Sequence, residues 1–175
     1  MSNEPALGLL DVDGVLNACP YMPGMVQYDW NFDVDVNVGP FPMHMSTEMA
    51  AALLSLPMDL EWLTTWCMRP DNNDANERIA PLLGLPRLPQ HRALPRRFSQ
   101  CSWWKRDVFD SLRERFPTRK IVWMDDDLSA EMGLKRGSTH ITPDGLTLMV
   151  CPEPDVGLTK AHIETIREFL TKETK

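Results

Sequence analysis

Two aspartates, Asp11 and Asp13, directly follow the apolar run Ala6–Leu10 and precede a glycine. The run predicts a short buried strand. Alternate residues of an extended chain face the same way, so the two carboxylates can converge just past its end. Because like charges raise each other's pKa, a divalent cation with oxygen ligands, most simply Mg²⁺, would relieve their repulsion. The pattern indicates a magnesium site, and a turn with two solvated acids is the alternative.

Three apolar runs in this chain end directly in polar side chains. They are Ala6–Leu10 before Asp11 and Asp13, residues 60–63 before Thr64 and Thr65, and Ile121–Met124 before Asp125, Asp126 and Asp127. In a parallel α/β sheet the carboxyl ends of the strands share one edge, and ligands bind in the crevice beyond it. We therefore expect these polar groups to meet at one site.

Lys105 is the basic residue best placed to join these acids. The spacing of Trp104, Val108 and Leu112 predicts a helix capped by Ser102, with Lys105 in its first turn. A cation there opposes the helix dipole, and broken local rules tend to mark functional positions. The free N–H groups of a helix start also bind anions. The alternative is a lysine that only covers the surface.

Strands alternate with helices along the chain, which predicts an α/β fold with a mainly parallel sheet. Further helices are predicted from Ser46 to Leu56, from Asn72 or Asn73 to Leu83, and from Thr159 onward. Two more strands are predicted at Ser138–Ile141 and at residues 147–150. The 175 residues are expected to form a single domain.

Residues 26–38 alternate strictly between apolar and polar side chains, which predicts a half-buried strand. The stretch is long for one strand, so we expect a bend or a hairpin near Asn31. Pro40 and Pro42 are expected to end it. This ribbon follows the first acidic motif closely, and within residues 17–45 it would form a small flap beside or over the site.

Net charge is −7, which argues against a broad nucleic-acid-binding surface. A proline-rich loop at residues 85–101 nevertheless carries a basic cluster. Its members are His91, Arg92, Arg96 and Arg97. Guanidinium groups grip phosphate with two hydrogen bonds, so the cluster is either a phosphate-recruiting rim or a solvated loop.

The four cysteines show no CxxC pair and no metal-ligand spacing, which predicts reduced thiols in a cytoplasmic protein. No basic start precedes an apolar core at the N-terminus, so we expect no signal peptide. No apolar run approaches the ~20 residues of a membrane span, and we expect no membrane partner. Most of the six tryptophans are interpreted as packing residues, and the exceptions, Trp30 and Trp103, are candidates for base stacking.

Four short motifs, in this order, resemble those of the haloacid dehalogenase-like (HAD) superfamily. They are Asp11-Val12-Asp13-Gly14-Val15, Thr64 within Trp62-Leu63-Thr64-Thr65-Trp66, Lys105, and Asp125-Asp126. More distantly, the chain is similar to small bacterial and phage HAD proteins, some of whose domains occur in RNA-repair polypeptides. The resemblance implies a three-layer, Rossmann-like core with a small β-hairpin insert after the first strand.

The resemblance also implies roles for the motif residues. Asp11 would attack phosphorus and form an aspartyl-phosphate, and Asp13 would act as general acid and then general base. Thr64 and Lys105 would hold the phosphoryl oxygens. Thr65 could take the place of Thr64 and is then the residue that contacts substrate. Arg96 and Arg97 of the basic cluster, if it recruits phosphate, would also contact substrate.

In the same way, Mg²⁺ would bind Asp11, the backbone carbonyl of Asp13 and Asp126. Asp125 would either bind the metal as a further ligand or contact the ligands without touching the metal. Because a third acid, Asp127, follows these two, the motif does not fix which of the three aspartates binds the metal.

The resulting expectation is a Mg²⁺-dependent phosphatase acting on a phosphorylated small molecule or a nucleic-acid end. The segment between the first two motifs is too short for a large cap domain, which suits a bulky or macromolecular phosphoester. The alternatives are a non-catalytic binding module with the same fold, and a phosphotransferase. Oligomeric state is left open.

Overall fold

The structure, a computed structural model, describes residues 4–19, 27–68, 74–92 and 103–172. Its strands are β1 (Ala6–Leu10), β2 (Val34–Val38), β3 (Phe41–Met45), β4 (Met58–Trp62), β5 (Ile121–Met124), β6 (Ser138–Ile141) and β7 (Thr147–Cys151). Its α-helices are α1 (Thr47–Leu54), α2 (Ala75–Arg78), α3 (Ala80–Leu83), α4 (Trp104–Arg115), α5 (Leu128–Met132) and α6 (Lys160–Thr171). A 3₁₀ helix covers Thr65–Met68. No helix of these ranges has the length and apolar character to cross a bilayer.

Five strands form one sheet in the order β4-β1-β5-β7-β6. All neighbouring pairs are parallel except β6 with β7. The chain passes from β1 out to β4 and then returns to β5 on the other side of β1. At such a reversal, open α/β sheets bind ligands in the crevice beyond the carboxyl ends of the strands, which here are β1 and β5. The predicted α/β fold with a mainly parallel sheet is confirmed.

Helices cover both faces of the sheet, because successive side chains of its buried strands point to opposite sides. Leu9 and Trp123 belong to one apolar cluster, with α4 and α5. Leu10 and Met124 belong to the other, with α1, α2, α3 and α6. The domain therefore has three layers.

The hairpin exists, but its predicted position was wrong. β2 and β3 pair antiparallel across Gly39 and Pro40 instead of turning near Asn31. Residues 27–33 are irregular because side chains anchor them elsewhere: Trp30 Nε1 donates to the Leu158 carbonyl at 2.7 Å. Alternation alone did not reveal this tertiary anchoring.

Pro42 lies inside β3 instead of ending a strand. It stands opposite Asn37, and its carbonyl accepts a hydrogen bond from the side chain of Asn17. Proline is tolerated there because the pairing at this position does not use its missing N–H, and the hairpin is only two strands wide.

The helix starts agree only in part with those predicted from the sequence. Ser46 caps α1 as predicted, and Thr159 caps α6. The helix predicted to end at Leu83 is instead two short helices, α2 and α3. Pro81 has no N–H, so it cannot donate the hydrogen bond that would continue α2. Its cap is Asp74; the predicted caps Asn72 and Asn73 lie outside the described residues.

The start of α4 also differs from the prediction. Its N-cap residue is Trp103, which makes no side-chain capping bond. The predicted cap, Ser102, lies outside the described residues.

Gly157 fixes the loop after β7 against the loop that carries Asp13. It has a φ of +74°, and a Cβ there would stand 2.7 Å from the carbonyl oxygen of Val15. Gly145 has a similar φ of +70° with open space around it. We expect Gly145→Ala to cost about 1–2 kcal/mol from the left-handed backbone alone.

Gly157→Ala is expected to cost a further ~1–3 kcal/mol, because the backbone contact must open. Urea unfolding of the two variants measures this difference. Equal losses of stability would show that the close approach of Gly157 to Val15 is unimportant.

Candidate functional site

Three carboxylates converge in the crevice between β1 and β5. Asp11 follows β1, and Asp125 and Asp126 follow β5; single oxygens of the three lie within 4.8 Å of one another. Strand pairing continues into these residues, since Asp11 N–H donates to the Met124 carbonyl at 3.1 Å. The Asp125 N–H likewise donates to the Val150 carbonyl at 3.0 Å. The expectation that the first and last acidic motifs meet at one edge is confirmed.

Lys105 projects from the first turn of α4 into this acidic cluster and is 1% exposed. Its ammonium donates to Asp11 Oδ2 and, at 2.9 Å, to Asp125 Oδ2. Burial alone would lower the pKa of Lys105, but the ion pairs with Asp11 and Asp125 outweigh it and raise that pKa above its usual value. The lysine therefore stays charged between the two acids.

Arg106, the neighbour of Lys105, is exposed and faces away from the cluster. Its Nε lies 3.7 Å from the Asp110 carboxylate one turn along the helix. Successive helical residues point about 100° apart, so only one of the pair can enter the crevice. That residue is Lys105.

The carboxylates of Asp125 and Asp126 have different surroundings. Asp125 is fully buried, and it accepts hydrogen bonds from Lys105, from Trp123 Nε1 at 3.3 Å and from the Asp127 N–H at 3.1 Å. Within the described part of the chain, the Asp126 carboxylate has no ion pair. Burial, followed by the nearby charges of Asp11 and Asp127, raises the pKa of Asp126 to about 6. Burial and the neighbouring acids therefore outweigh the charge of Lys105 at Asp126.

These residues fit a divalent cation. Three carboxylates face one ammonium, so a negative excess remains at the cluster. Carboxylate oxygens are the donors that Mg²⁺ prefers. Gly14 keeps the space beside Asp126 free of side chain, since a Cβ at Gly14 would stand 2.6 Å from an Asp126 oxygen. Asp126 and Asp11 would hold the ion, with Lys105 paired to Asp11 and to Asp125 beside them. Asp127 is exposed, and its carboxylate lies 3.8 Å from the Lys105 ammonium.

Asp13 lies on the loop after β1, half-buried, with both carboxylate oxygens hydrogen-bonded. Trp66 Nε1 donates to Oδ2 at 2.9 Å, and Asn17 Nδ2 donates to Oδ1 at 2.9 Å. Its carboxylate is not part of the three-acid cluster, and the predicted metal ligand there is its backbone carbonyl. Sequence reasoning missed both donors.

Tryptophans contribute more to this site than packing. Trp66 and Trp123 each donate an indole N–H to a site carboxylate, Asp13 and Asp125 respectively. Trp30 is buried and hydrogen-bonded, and Trp103 is half-buried with its ring stacked on Trp123 at 5.1 Å between centroids. The feature of the sequence that could have indicated this role for Trp66 is its position directly after Thr64 and Thr65.

The two threonines after β4 differ in burial. Thr64 is fully buried, and its hydroxyl accepts a bond from the Trp66 N–H at 3.4 Å. β4 pairs with β1, so Thr64 lies at the same edge of the sheet as the acids. Thr65 is exposed and begins the 3₁₀ helix.

The basic loop begins beside the site. Residues 89–91 pair with Trp62 at the carboxyl end of β4: Trp62 N–H donates to the Pro89 carbonyl at 2.8 Å. His91 Nε2 lies 2.5 Å from a carboxylate oxygen of Glu61 on β4. Arg92 is exposed, and Arg96 and Arg97 lie outside the described residues.

Comparisons with known proteins give no relative. No protein-family model matches the chain, and no curated protein and no solved structure matches it. Function is therefore inferred from the site itself.

We expect Asp126→Asn to weaken Mg²⁺ binding by roughly 10- to 100-fold, since losing a charged ligand should cost at least as much as losing an outer partner. Isothermal titration of the purified protein with Mg²⁺ measures the affinity. Asp110→Asn is the matched control: it removes the same charge from an exposed side chain on α4 that pairs with Arg106 outside the cluster, and should change the affinity only slightly. Equal losses in both variants would contradict Asp126 as a ligand.

Proposed function

We propose that the protein is a Mg²⁺-dependent phosphatase that hydrolyses phosphomonoesters through an aspartyl-phosphate, in the manner of the HAD superfamily. The observation that carries the proposal is the meeting of Asp11, Asp125, Asp126 and Lys105 in the crevice beyond the central strands. A carboxylate nucleophile, acids that would hold a cation and a buried ammonium at a topological switch point are the parts that phosphoryl transfer through an aspartyl-phosphate uses.

In the first step, a carboxylate oxygen of Asp11 attacks phosphorus while the bond from phosphorus to the ester oxygen breaks. Val12 N–H holds Asp11 Oδ1 at 2.7 Å, and Lys105 contacts Oδ2, so the side chain is fixed before substrate arrives. Asp13 gives its proton to the leaving oxygen, which departs as an alcohol. The products of this step are the alcohol and an acyl phosphate on Asp11.

In the second step, water attacks phosphorus and the Asp13 carboxylate accepts its proton. The bond between phosphorus and the Asp11 oxygen breaks, which releases inorganic phosphate and restores the Asp11 carboxylate. Asp13 is then protonated again and ready for the next ester. Asp13 therefore loses one proton in the first step and regains one in the second, with no net change over one turnover.

Mg²⁺ at Asp11 and Asp126 would neutralise charge between the nucleophile and the incoming phosphate. Lys105 adds one fixed positive charge that pairs with the two buried acids Asp11 and Asp125. The Thr64 hydroxyl, at the same edge of the sheet, would donate to a phosphoryl oxygen.

The substrate class we favour is a phosphorylated small molecule or a nucleic-acid end. The support is the small β2–β3 hairpin in place of a large cap, and the basic loop whose first residues pair with the end of β4. With a net charge of −7, phosphate recruitment must depend on such local basic groups.

Hydrolysis of p-nitrophenyl phosphate, phosphorylated metabolites and 3′- or 5′-phosphorylated oligonucleotides tests the proposal, each with Mg²⁺ and with a chelator. We expect turnover that requires Mg²⁺. Phosphate transfer to an added alcohol in place of water would identify a phosphotransferase. Binding of phosphoesters with no turnover in any arm would contradict the proposal and favour a non-catalytic module.

A further inference from the structure

The general acid of the proposed reaction is held by two buried side chains. Trp66 is 1% exposed and Asn17 is 2% exposed. Each places one N–H on a different oxygen of the Asp13 carboxylate, both at 2.9 Å. Two donors from different directions restrict the rotation of a short side chain, which would otherwise be free at the end of a loop.

Asn17 also connects Asp13 to the β2–β3 hairpin. Its Oδ1 accepts the His44 N–H at 2.7 Å, and its Nδ2 lies 3.3 Å from the Pro42 carbonyl. The next residue continues this connection, because the Ala18 N–H donates to the His44 carbonyl at 3.0 Å. An amide side chain can donate to a carboxylate and accept from a backbone N–H at once.

Trp66 makes the second connection to the hairpin. Its ring meets the Phe41 ring edge to face, with centroids 5.5 Å apart. Both donors to Asp13 therefore touch β3, at Phe41 and at Pro42 and His44. A shift of the hairpin would move both of them.

We propose that Asn17 and Trp66 are positioning residues that aim the Asp13 carboxyl at the leaving oxygen and set its place by the position of the hairpin. This inference rests on the proposed phosphatase function. Proton donation matters most for a poor leaving group, because an alkoxide needs the proton and a nitrophenolate leaves without it. Misplacing Asp13 should therefore slow alkyl esters selectively.

The test compares kcat and KM for p-nitrophenyl phosphate and for a simple alkyl phosphate in the full-length protein. Trp66→Phe keeps the ring and removes the N–H. We expect kcat for the alkyl ester to fall by about 10- to 100-fold, within the range of general acid catalysis, with little change in KM. The kcat for the nitrophenyl ester should fall by less than about threefold.

The chain offers a matched pair of controls away from Asp13. Trp62 Nε1 donates to Asn76 Oδ1 at 3.0 Å, and Asn76 bonds both backbone groups of Leu88 at 2.8 Å. Trp62→Phe and Asn76→Ala thus remove the same kinds of buried bonds as Trp66→Phe and Asn17→Ala. We expect the controls to lose stability without any preference between the two esters.

Asn17→Ala should reproduce the alkyl-selective loss, and Trp66→Phe decides the matter if Asn17→Ala does not fold. Equal losses on both esters, no loss, or a change confined to KM would overturn the positioning role while the phosphatase function stands. If the wild-type protein hydrolyses neither ester, the proposed function fails and the positioning role falls with it.

Discussion

Asp11→Asn is expected to lower kcat by a factor on the order of 10⁴ or more, as loss of a covalent nucleophile does elsewhere. A carboxamide is a very poor nucleophile toward phosphorus. The substitution keeps the size of the side chain, and an amide oxygen can still accept the Val12 N–H that Asp11 Oδ1 accepts at 2.7 Å. The comparison is made on p-nitrophenyl phosphate with saturating Mg²⁺.

Asp110→Asn is the control for the loss of one aspartate charge, since Asp110 is exposed on α4 and pairs only loosely with Arg106. Its turnover should match that of the wild-type protein. An Asp11→Asn variant that folds, binds Mg²⁺ and keeps full turnover would contradict the covalent mechanism, whatever other phosphatase chemistry then applied.

Lys105→Met is expected to destabilise the protein by about 3–5 kcal/mol, the cost of breaking a buried ion pair from one side. Methionine fills a similar volume, so the loss is electrostatic more than steric. It leaves Asp11 and Asp125 buried beside each other with no cation, and burial together with Asp11 already raises the pKa of Asp125 well above its usual value. Urea unfolding at neutral pH, with a chelator present, measures the change.

Arg106→Met provides the control one residue along the same helix. Arg106 is exposed, and exposed pairs such as its contact with Asp110 contribute about 0–1 kcal/mol. A loss of stability in Lys105→Met no larger than in Arg106→Met would show that the ammonium is not what holds the two acids together.

The sheet and its acidic edge could be predicted from the sequence because each strand carries its polar group at its own end. Ala6–Leu10 and Ile121–Met124 are continuous apolar runs, as central parallel strands are, and each stops at an aspartate. Strand order did not have to be known, since neighbouring parallel strands bring their carboxyl ends to one edge.

The hairpin could be predicted in type but not in position. Alternation in residues 26–38 describes one strand face, while the pairing partner Phe41–Met45 contains a proline that argues locally against a strand. The alternating residues before Val34 are instead held by bonds over long sequence distances, such as that of Trp30 with Leu158. Such tertiary bonds leave no local pattern.

The charged members of the site could be predicted, and the neutral donors could not. Lys105 was visible because a cation at a helix start breaks a local rule. Asn17 and Trp66 break none: a buried asparagine and a buried tryptophan are compatible with ordinary packing. Only the fold brings their N–H groups onto Asp13.

The most direct test of the central claim is to detect a phosphoryl group on Asp11. The enzyme is mixed with a phosphoester and Mg²⁺, quenched in acid within the first turnover, and mapped by mass spectrometry of its peptides. We predict a phosphoryl group on the peptide that contains Asp11, absent without Mg²⁺ and absent from Asp11→Asn. Active turnover with a phosphoryl group on another residue, or with none at any quench time, would contradict the account.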